Sequence, residues 1–503
     1  MNYANKATTG LGWMFTSSTS VQGVGLLTNM VLARLLLPTD FGAVALVVAV
    51  IAVLQTFSEL GMSVALIQRE NLTSSLIDSA FFATIVMTLS IVVIMWSTAS
   101  YFVNFFKMSV LADLLRIAAI SYLFIGIFSL HRCLLLRDLR YKDISLIGFG
   151  AVLLSSVTSI VLAFNGHGPY SIVWGQLLSS TISLLAGIWL TRYKPSSLGT
   201  FSDMCSLFSF GMWVSLGRLI GNAAGKVDAF VIGKVLDAAT LGGYYMAQKI
   251  VLLIPNTYTG VIDQVMLPIY SKFQKETSRV QDGYFKTLSL TSIILLPPIC
   301  LIFTFADPLV RILLGGQWLQ VIPLVMIMSL FGISQSLGGG VFASVIYSLG
   351  MPQLATITNT FRIVALPGFI VIGSIWGIFG VAWGFALYGV VGRLFNQWLL
   401  KRFLGYSFLR YLKTIFPASF SALVATPPAY LICHFLANDS LGNMVLWNLA
   451  ALIVWGSIYL LLIRIIGRKD IEYIWGIGKP ILQKTLIFRV LLRLQKNLGF
   501  TFR

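Results

Sequence analysis

Charge is scarce in this chain. Of its 503 residues only 10% are Asp, Glu, Lys or Arg, and acids are the rarer kind, 17 against 35 bases. The four cysteines, Cys133, Cys205, Cys300 and Cys433, are scattered with no CxxC, and only Cys433 adjoins a histidine, His434. That spacing supports neither a disulfide framework nor a metal site. His131, His167 and His434 stand far apart with no Ser or Cys constellation around them, so hydrolytic catalysis has no footing. No cofactor motif is recognisable. Gly221-Asn-Ala-Ala-Gly225-Lys226 resembles a phosphate-binding loop, but it has three residues between its glycines where four are needed. It also offers Val227 where that loop requires Ser or Thr.

Apolar sequence fills the space that charge leaves. The chain is 57% hydrophobic, with a mean hydropathy of +0.88, more apolar surface than a soluble core can hide. A spanning helix needs roughly 20 apolar residues, so the expected fold class is an all-α integral membrane protein of about fourteen transmembrane helices. Apolar runs place them at 11–33, 41–66, 79–103, 109–131, 144–164, 169–191, 206–233, 242–270, 287–311, 320–348, 354–373, 377–400, 412–435 and 443–466. Only Lys6 precedes the first run and no small-residue cleavage site interrupts it, so it reads as a retained helix rather than a signal peptide.

The net charge of +18 is a topology signal, not one for nucleic acid. Counted from an inward N-terminus, the inward connections hold Arg69; Arg132, Arg137, Arg140 and Lys142; Arg192 and Lys194; Lys272, Lys275, Arg279 and Lys286; and Lys401, Arg402, Arg410 and Lys413. The opposite connections hold little beyond Arg34, Lys107, Lys234 and Arg311. By the positive-inside bias both termini are expected in the cytoplasm. In the tail, Arg489, Arg493 and Lys496 fall at i, i+4 and i+7 beside Leu486, Ile487, Val490, Leu491 and Leu494. It reads as an interfacial helix on anionic membrane lipid or as a flexible basic tail that reinforces topology.

An internal repeat runs at an offset of 200 residues. Trp13 pairs with Trp213, Gly25 with Gly225, Val31 with Val231, Arg34 with Lys234, Leu36 with Leu236 and Gly42 with Gly242. Six helices separate the copies, so the repeat is parallel, an arrangement of secondary transporters in which substrate is held between the halves.

Ionisable residues at hydrocarbon depth are costly and therefore informative. In the seventh span Arg218, Asn222 and Lys226 share a broad face, with Asp228 following, and Gly221 and Gly225 form a small-xxx-small step. The eighth span adds Lys249, Asn256 and Asp263 at intervals of seven. The second gives Gln55 and Glu59, the first Gln22 and Asn29, and the eleventh Asn359 and Arg362. Several cations facing one cavity suit an anionic ligand such as a phosphate or pyrophosphate. The alternative is a structural lock, with Arg218 or Lys226 paired to Asp228, or Lys249 to an acid. Glu59 and Asp263 fit either ion coupling or a salt bridge within a lobe. Arg362 and Arg393 lie closer to the cytoplasmic helix ends, where snorkelling to the interface is the alternative for both and the favoured reading for Arg393.

The segment Val31-Leu-Ala-Arg34-Leu-Leu-Leu-Pro-Thr-Asp40-Phe41-Gly42 resembles the polysaccharide transporter family of the multidrug/oligosaccharidyl-lipid/polysaccharide exporter superfamily. So do Glu59-Leu-Gly-Met-Ser-Val-Ala-Leu-Ile-Gln68-Arg69, Asp228-Ala-Phe-Val-Ile-Gly233-Lys234, Leu241-Gly-Gly-Tyr244-Tyr-Met-Ala247 and Gly316-Gln-Trp318, particularly as in its colanic-acid-exporter-like members. The resemblance covers essentially the whole chain. It implies an N-terminal lobe at 1–195, a C-terminal lobe at 196–405, two further helices at 406–467 and a basic cytoplasmic tail at 468–503. It also implies a repeat-unit flippase that moves undecaprenyl-pyrophosphate-linked oligosaccharide across the bacterial inner membrane, alongside polysaccharide polymerase machinery, with no enzymatic step. The substrate-binding candidates are Arg218, Asn222, Lys226, Lys249 and Arg362, chosen for depth and face in this sequence. The candidate coupling or structural acids are Glu59, Asp228 and Asp263. Two rivals remain open: a multidrug antiporter, which should have an acidic cavity, and a membrane sugar polymerase or ligase, which should carry a sizeable outer loop.

Overall fold

The computed structural model describes residues 3–59, 73–197, 200, 219–274, 276–436 and 441–468. Among these, regular structure is entirely helical. The helices are α1 (Tyr3–Leu35), α2 (Pro38–Glu59), α3 (Ser74–Phe106), α4 (Leu111–Arg137), α5 (Tyr141–Phe164), α6 (Tyr170–Thr191), α7 (Val227–Val235) and α8 (Ala238–Lys272). They continue as α9 (Thr277–Thr304), α10 (Ala306–Leu313), α11 (Ile322–Ser336), α12 (Gly339–Ser348), α13 (Pro352–Ser374), α14 (Gly377–Leu404), α15 (Phe408–Leu431) and α16 (Leu441–Ile466). A 3-10 turn, Gly316–Val321, leads into α11, and a π segment, Ile432–Leu436, ends α15. Among the described residues eleven stretches are long and apolar enough to cross a membrane. The expected interfacial tail helix and the residues before 219 in the seventh span lie outside the described residues.

Two of the expected spans are broken rather than continuous. The run at 287–311 divides into α9 and α10, and the run at 320–348 divides at Leu337 and Gly338. Gly338 has φ +112, a conformation that side chains rarely adopt. A break at membrane depth frees backbone carbonyls, and each needs a donor. Arg393 Nε donates to Ser334 O at 2.8 Å and Tyr411 Oη to Leu337 O at 3.1 Å. The expectation that Arg393 snorkels is therefore corrected: it is 6% exposed and turns inward to cap the broken helix. Its Nη2 also reaches Gln335 Oε1 at 3.3 Å.

The chain forms two compact units. The first comprises Met1–Ile250, Asp307–Met328 and Gln353–Tyr388. Within it α6 packs on α4 and α5, and α5 on α1. Close approach is bought by small residues: a Cβ on Gly126 would collide with Thr88, and one on Gly187 would press on Phe128. The segment that follows α6 is tied back to α3. The buried Asp78 carboxylate accepts from Tyr193 Oη, from Ser196 N and Oγ at 3.1 and 2.8 Å, and from Ser197 N at 2.9 Å. Burial, then the hydrogen bond to Asp78 and its charge, push the Tyr193 phenol well above its usual range.

The second unit comprises Val251–Ala306, Ser329–Pro352 and Gly389–Arg503. Here α15 offers a face of Ala418, Ala422, Ala425 and Ala429, spaced so that Trp455 and Tyr459 of α16 and Leu296 of α9 pack against it. Tyr459 Oη donates to Ile293 O at 3.0 Å, which fixes the ring. A polar core lies under the break in the same unit. Gln397 is 0% exposed, and its Oε1 accepts from Tyr284 Oη and Tyr406 Oη, each at 2.8 Å. Burial raises the Tyr406 phenol, which lies in the turn between α14 and α15.

Candidate functional site

The sequence-derived candidates separate into those the structure describes and those it does not. Arg218 lies outside the described residues, as do the side chains of Glu59 and Asp263. Asn222 is exposed, and Lys226, Lys249 and Arg362 are half-buried. The remaining acid, Asp228, is 2% exposed.

Asp228 sits in the first turn of α7, the helix that Lys226 immediately precedes. Its Oδ1 accepts from Ala229 N at 2.9 Å. Its Oδ2 accepts from Tyr244 Oη and from Gln248 Nε2, both at 2.8 Å and both on α8. No ion pair among the described residues involves Asp228, Lys226, Lys249 or Arg362. The buried carboxylate is thus held by neutral donors rather than by Lys226. Tyr244 and Gln248 are one helical turn apart, which is why both reach the same oxygen. Sequence reading missed them as partners. The one available signal was the i, i+4 spacing of Tyr244 and Gln248 on the helix that also carries Lys249.

Lys249 lies next to Gln248 and reaches α1. Its Nζ donates to Asn29 Oδ1 at 2.8 Å and stands 5.2 Å from the centre of the Tyr245 ring. Asn29 in turn donates through Nδ2 to Gly25 O. The ammonium is therefore braced by an amide oxygen and a ring face, with no acid paired to it among the described residues.

Arg362, on α13, completes the group. Its guanidinium is near enough to Tyr244 to act on that phenol electrostatically. Its Nε is buried and has no hydrogen-bond partner among the described residues. One turn earlier, Asn359 faces the seventh span: a Cβ on Gly221 would come 3.2 Å from Asn359 Nδ2. One unit therefore gathers Asn29, Lys226, Asp228, Tyr244, Gln248, Lys249, Asn359 and Arg362 from α1, α7 with its N-cap, α8 and α13. The arrangement carries more positive than negative charge, and its acid is already saturated with hydrogen bonds. An array of this kind attracts an anion and holds it by donated hydrogen bonds. Among the described residues no group of His, Cys, Asp and Glu could hold a metal.

A helical, multi-pass membrane protein of this architecture has the fold of membrane transporters. The backbone agrees: the chain is similar to the lipid II flippase MurJ in an inward closed conformation, with a TM-score of 0.72 and 15% identity, covering 91% of this chain and 99% of that one. It is also similar to an inward-facing multidrug resistance MATE family transporter, with a TM-score of 0.59 and 16% identity over 76% and 95%. Within that class the family described as polysaccharide biosynthesis protein matches residues 31–323, more than half of the chain, and the chain belongs to it. Among relatives, the lipopolysaccharide biosynthesis protein WzxC of Escherichia coli is 22% identical, covering 86% of this chain and 88% of its own. The succinoglycan biosynthesis transport protein ExoT of Rhizobium meliloti is 25% identical over 93% and 94%.

Proposed function

We propose that this protein is a flippase for lipid-linked oligosaccharide in surface polysaccharide biosynthesis. It moves a sugar repeat unit on an undecaprenyl-pyrophosphate carrier across the bacterial inner membrane, with both of its termini in the cytoplasm. The pyrophosphate head enters the cation array, and the polyprenyl tail stays in lipid. The halves at 1–195 and 196–405 move as lobes that expose the array first to one side and then to the other. The repeat unit then passes to a polymerase on the outer face. The protein acts as a carrier, not a catalyst.

The observation that carries this reading is the state of Arg362 and Lys226. Neither side chain has an ion-pair partner among the described residues, and Arg362 keeps a buried Nε–H without a hydrogen-bond partner there. Bringing a charged head group out of water costs several kcal/mol per ion, and half-buried cations with unpaired donors offset that cost. Lys249 and Asn222 extend the same array along the seventh and eighth spans. A multidrug antiporter reading requires an acid available to a cationic drug, and the Asp228 carboxylate is already occupied by Tyr244 and Gln248.

The test replaces Lys226 and Arg362 by Gln, singly and together, in the native host. Surface polysaccharide should fall at least about tenfold in the double variant, the equivalent of roughly 1.4 kcal/mol. Lipid-linked intermediate should accumulate while the amount of protein in the membrane stays unchanged. Normal surface polysaccharide at normal protein level would reject the reading.

A further inference from the structure

The internal repeat has a structural counterpart that the cation array does not use. α1 ends at Leu35 and α2 begins at Pro38; α7 ends at Val235 and α8 begins at Ala238, the same positions 200 residues on. The last turn of α1 carries Arg34 and the last turn of α7 carries Lys234. Each reaches the far end of a helix from the other copy's half of the sequence. Arg34 Nη2 donates to Ile312 O, the penultimate residue of α10, at 2.6 Å. Lys234 Nζ donates to Phe105 O, the penultimate residue of α3, at 2.9 Å, and stands 4.0 Å from the centre of the Phe105 ring.

The next turns cross in the same reciprocal manner. A Cβ on Gly42 would overlap the carbonyl oxygen of Ala238, and a Cβ on Gly242 would overlap that of Pro38. The first turns of α2 and α8 are thus pressed backbone to backbone, an approach only glycine permits. Beneath them Phe41, Ala45, Leu46 and Ala49 are buried.

We infer that this crossed arrangement is a two-armed outer latch: Arg34 on Ile312 and Lys234 on Phe105, closed over the Gly42 and Gly242 contact, and released when the array opens outward. It rests on the transport reading for its direction, since the latch lies at the ends of α1 and α7 remote from the amino terminus. The chemistry suits a latch. The last carbonyls of a helix have no partner within it and carry partial negative charge, so a cation there is stabilising. Both cations are exposed, so water replaces the lost bond on release and the contact is reversible at modest cost. Arginine and lysine are equivalent for this purpose because the acceptor is a single carbonyl, not a carboxylate that rewards a forked donor.

The experiment reads the latch without any substrate. Cys133, Cys205, Cys300 and Cys433 are replaced by Ala, and Ala49→Cys serves as a reporter two turns beneath Gly42. Whole cells are treated with a maleimide that does not cross the membrane. Labelling should be slow with the latch intact and should rise about fivefold or more when Arg34 and Lys234 are both Ala. It should also rise in Gly242→Leu, which wedges the crossing apart, and should stay slow when Arg34→Lys and Lys234→Arg are combined. If Gly242→Leu fails to reach the membrane, the double alanine variant carries the test, because it alters only exposed side chains. Unchanged labelling in the double alanine variant at normal protein level would overturn the latch, as would a rise in the exchanged pair equal to that of the alanines. A latch that labels as expected in a protein whose export tolerates loss of Lys226 and Arg362 would leave the latch standing and the transport reading rejected.

Discussion

Arg362 and Arg393 lie 31 residues apart, each inside a membrane helix, and they meet opposite fates. Arg393 directs its Nε and Nη2 to the protein itself, to Ser334 O and Gln335 Oε1, where a broken helix has exposed its backbone. Arg362 stands beside Tyr244 with a buried Nε and no partner among the described residues. Burial alone therefore does not mark a cation as functional. Its role depends on where its donors go: a guanidinium that closes an account with the backbone is structural, and one left open is available to a ligand. The polar clusters around the two repeat the contrast. Tyr284 and Tyr406 both donate to Gln397 Oε1, whereas Asp228 accepts from Tyr244 and Gln248, leaving the nearby cations without an acid.

The largest loss of stability is expected where the guanidinium serves the backbone. Arg393→Met keeps the volume but strips Ser334 O and Gln335 of their donor, and should destabilise the protein by about 2–3 kcal/mol. Thermal unfolding in detergent would register it, and export would fall in proportion to folded protein. A wild-type melting temperature would erase the contrast with Arg362.

Next comes Asp228. Asp228→Ala leaves the Tyr244 hydroxyl and the Gln248 amide facing each other in a buried site without their acceptor, at a cost of about 1–3 kcal/mol. Asp228→Asn retains an acceptor oxygen and should recover most of that loss. Export measured at equal protein level then separates an anchor from a coupling acid. If the carboxylate only positions α7 against α8, Asp228→Asn transports; if its charge is needed for ion coupling, it is folded and inactive.

These pairs also mark what could be read from the sequence. The spans were legible because membrane thickness imposes a length on every apolar run, and the repeat was legible because Leu36 and Gly42 recur as Leu236 and Gly242 in the same frame. The break at Gly338 was not, since hydropathy is blind to a change of backbone direction within an apolar run, although three successive glycines, Gly338 to Gly340, mark the spot. The partners of Asp228 were hidden for a related reason. Sequence proximity nominated Arg218 and Lys226, while helix packing supplied Tyr244 and Gln248 from the next helix. Arg393 was misjudged because nearness to a helix end says nothing about a carbonyl freed 59 residues away.

A smaller effect is expected at the edge of the second cluster. Tyr406→Phe removes one of the two hydroxyls that meet Gln397 Oε1 and leaves the other, from Tyr284, in place. Hydrogen bonds between membrane helices average about 0.6 kcal/mol, so the melting temperature should drop only slightly and export at equal protein level should be unchanged. Loss of export without loss of stability would move this cluster out of the structural category.

The least change in stability is expected at Arg362, and there the comparison is sharpest. Arg362→Gln removes a charge that nothing in its surroundings neutralises and leaves no acceptor stranded, so unfolding should shift by less than about 0.5 kcal/mol. The shift could even be favourable, because a buried cation without a partner is itself a cost. Export should nevertheless fail. A protein retains an unfavourable charge at membrane depth only if something recovers the energy, and in this reading the recovery comes when an anionic head group arrives. Melting curves with and without soluble pyrophosphate would show it directly: the wild type gains stability with the anion and Arg362→Gln gains less. Equal gains in the two proteins would place the anion elsewhere.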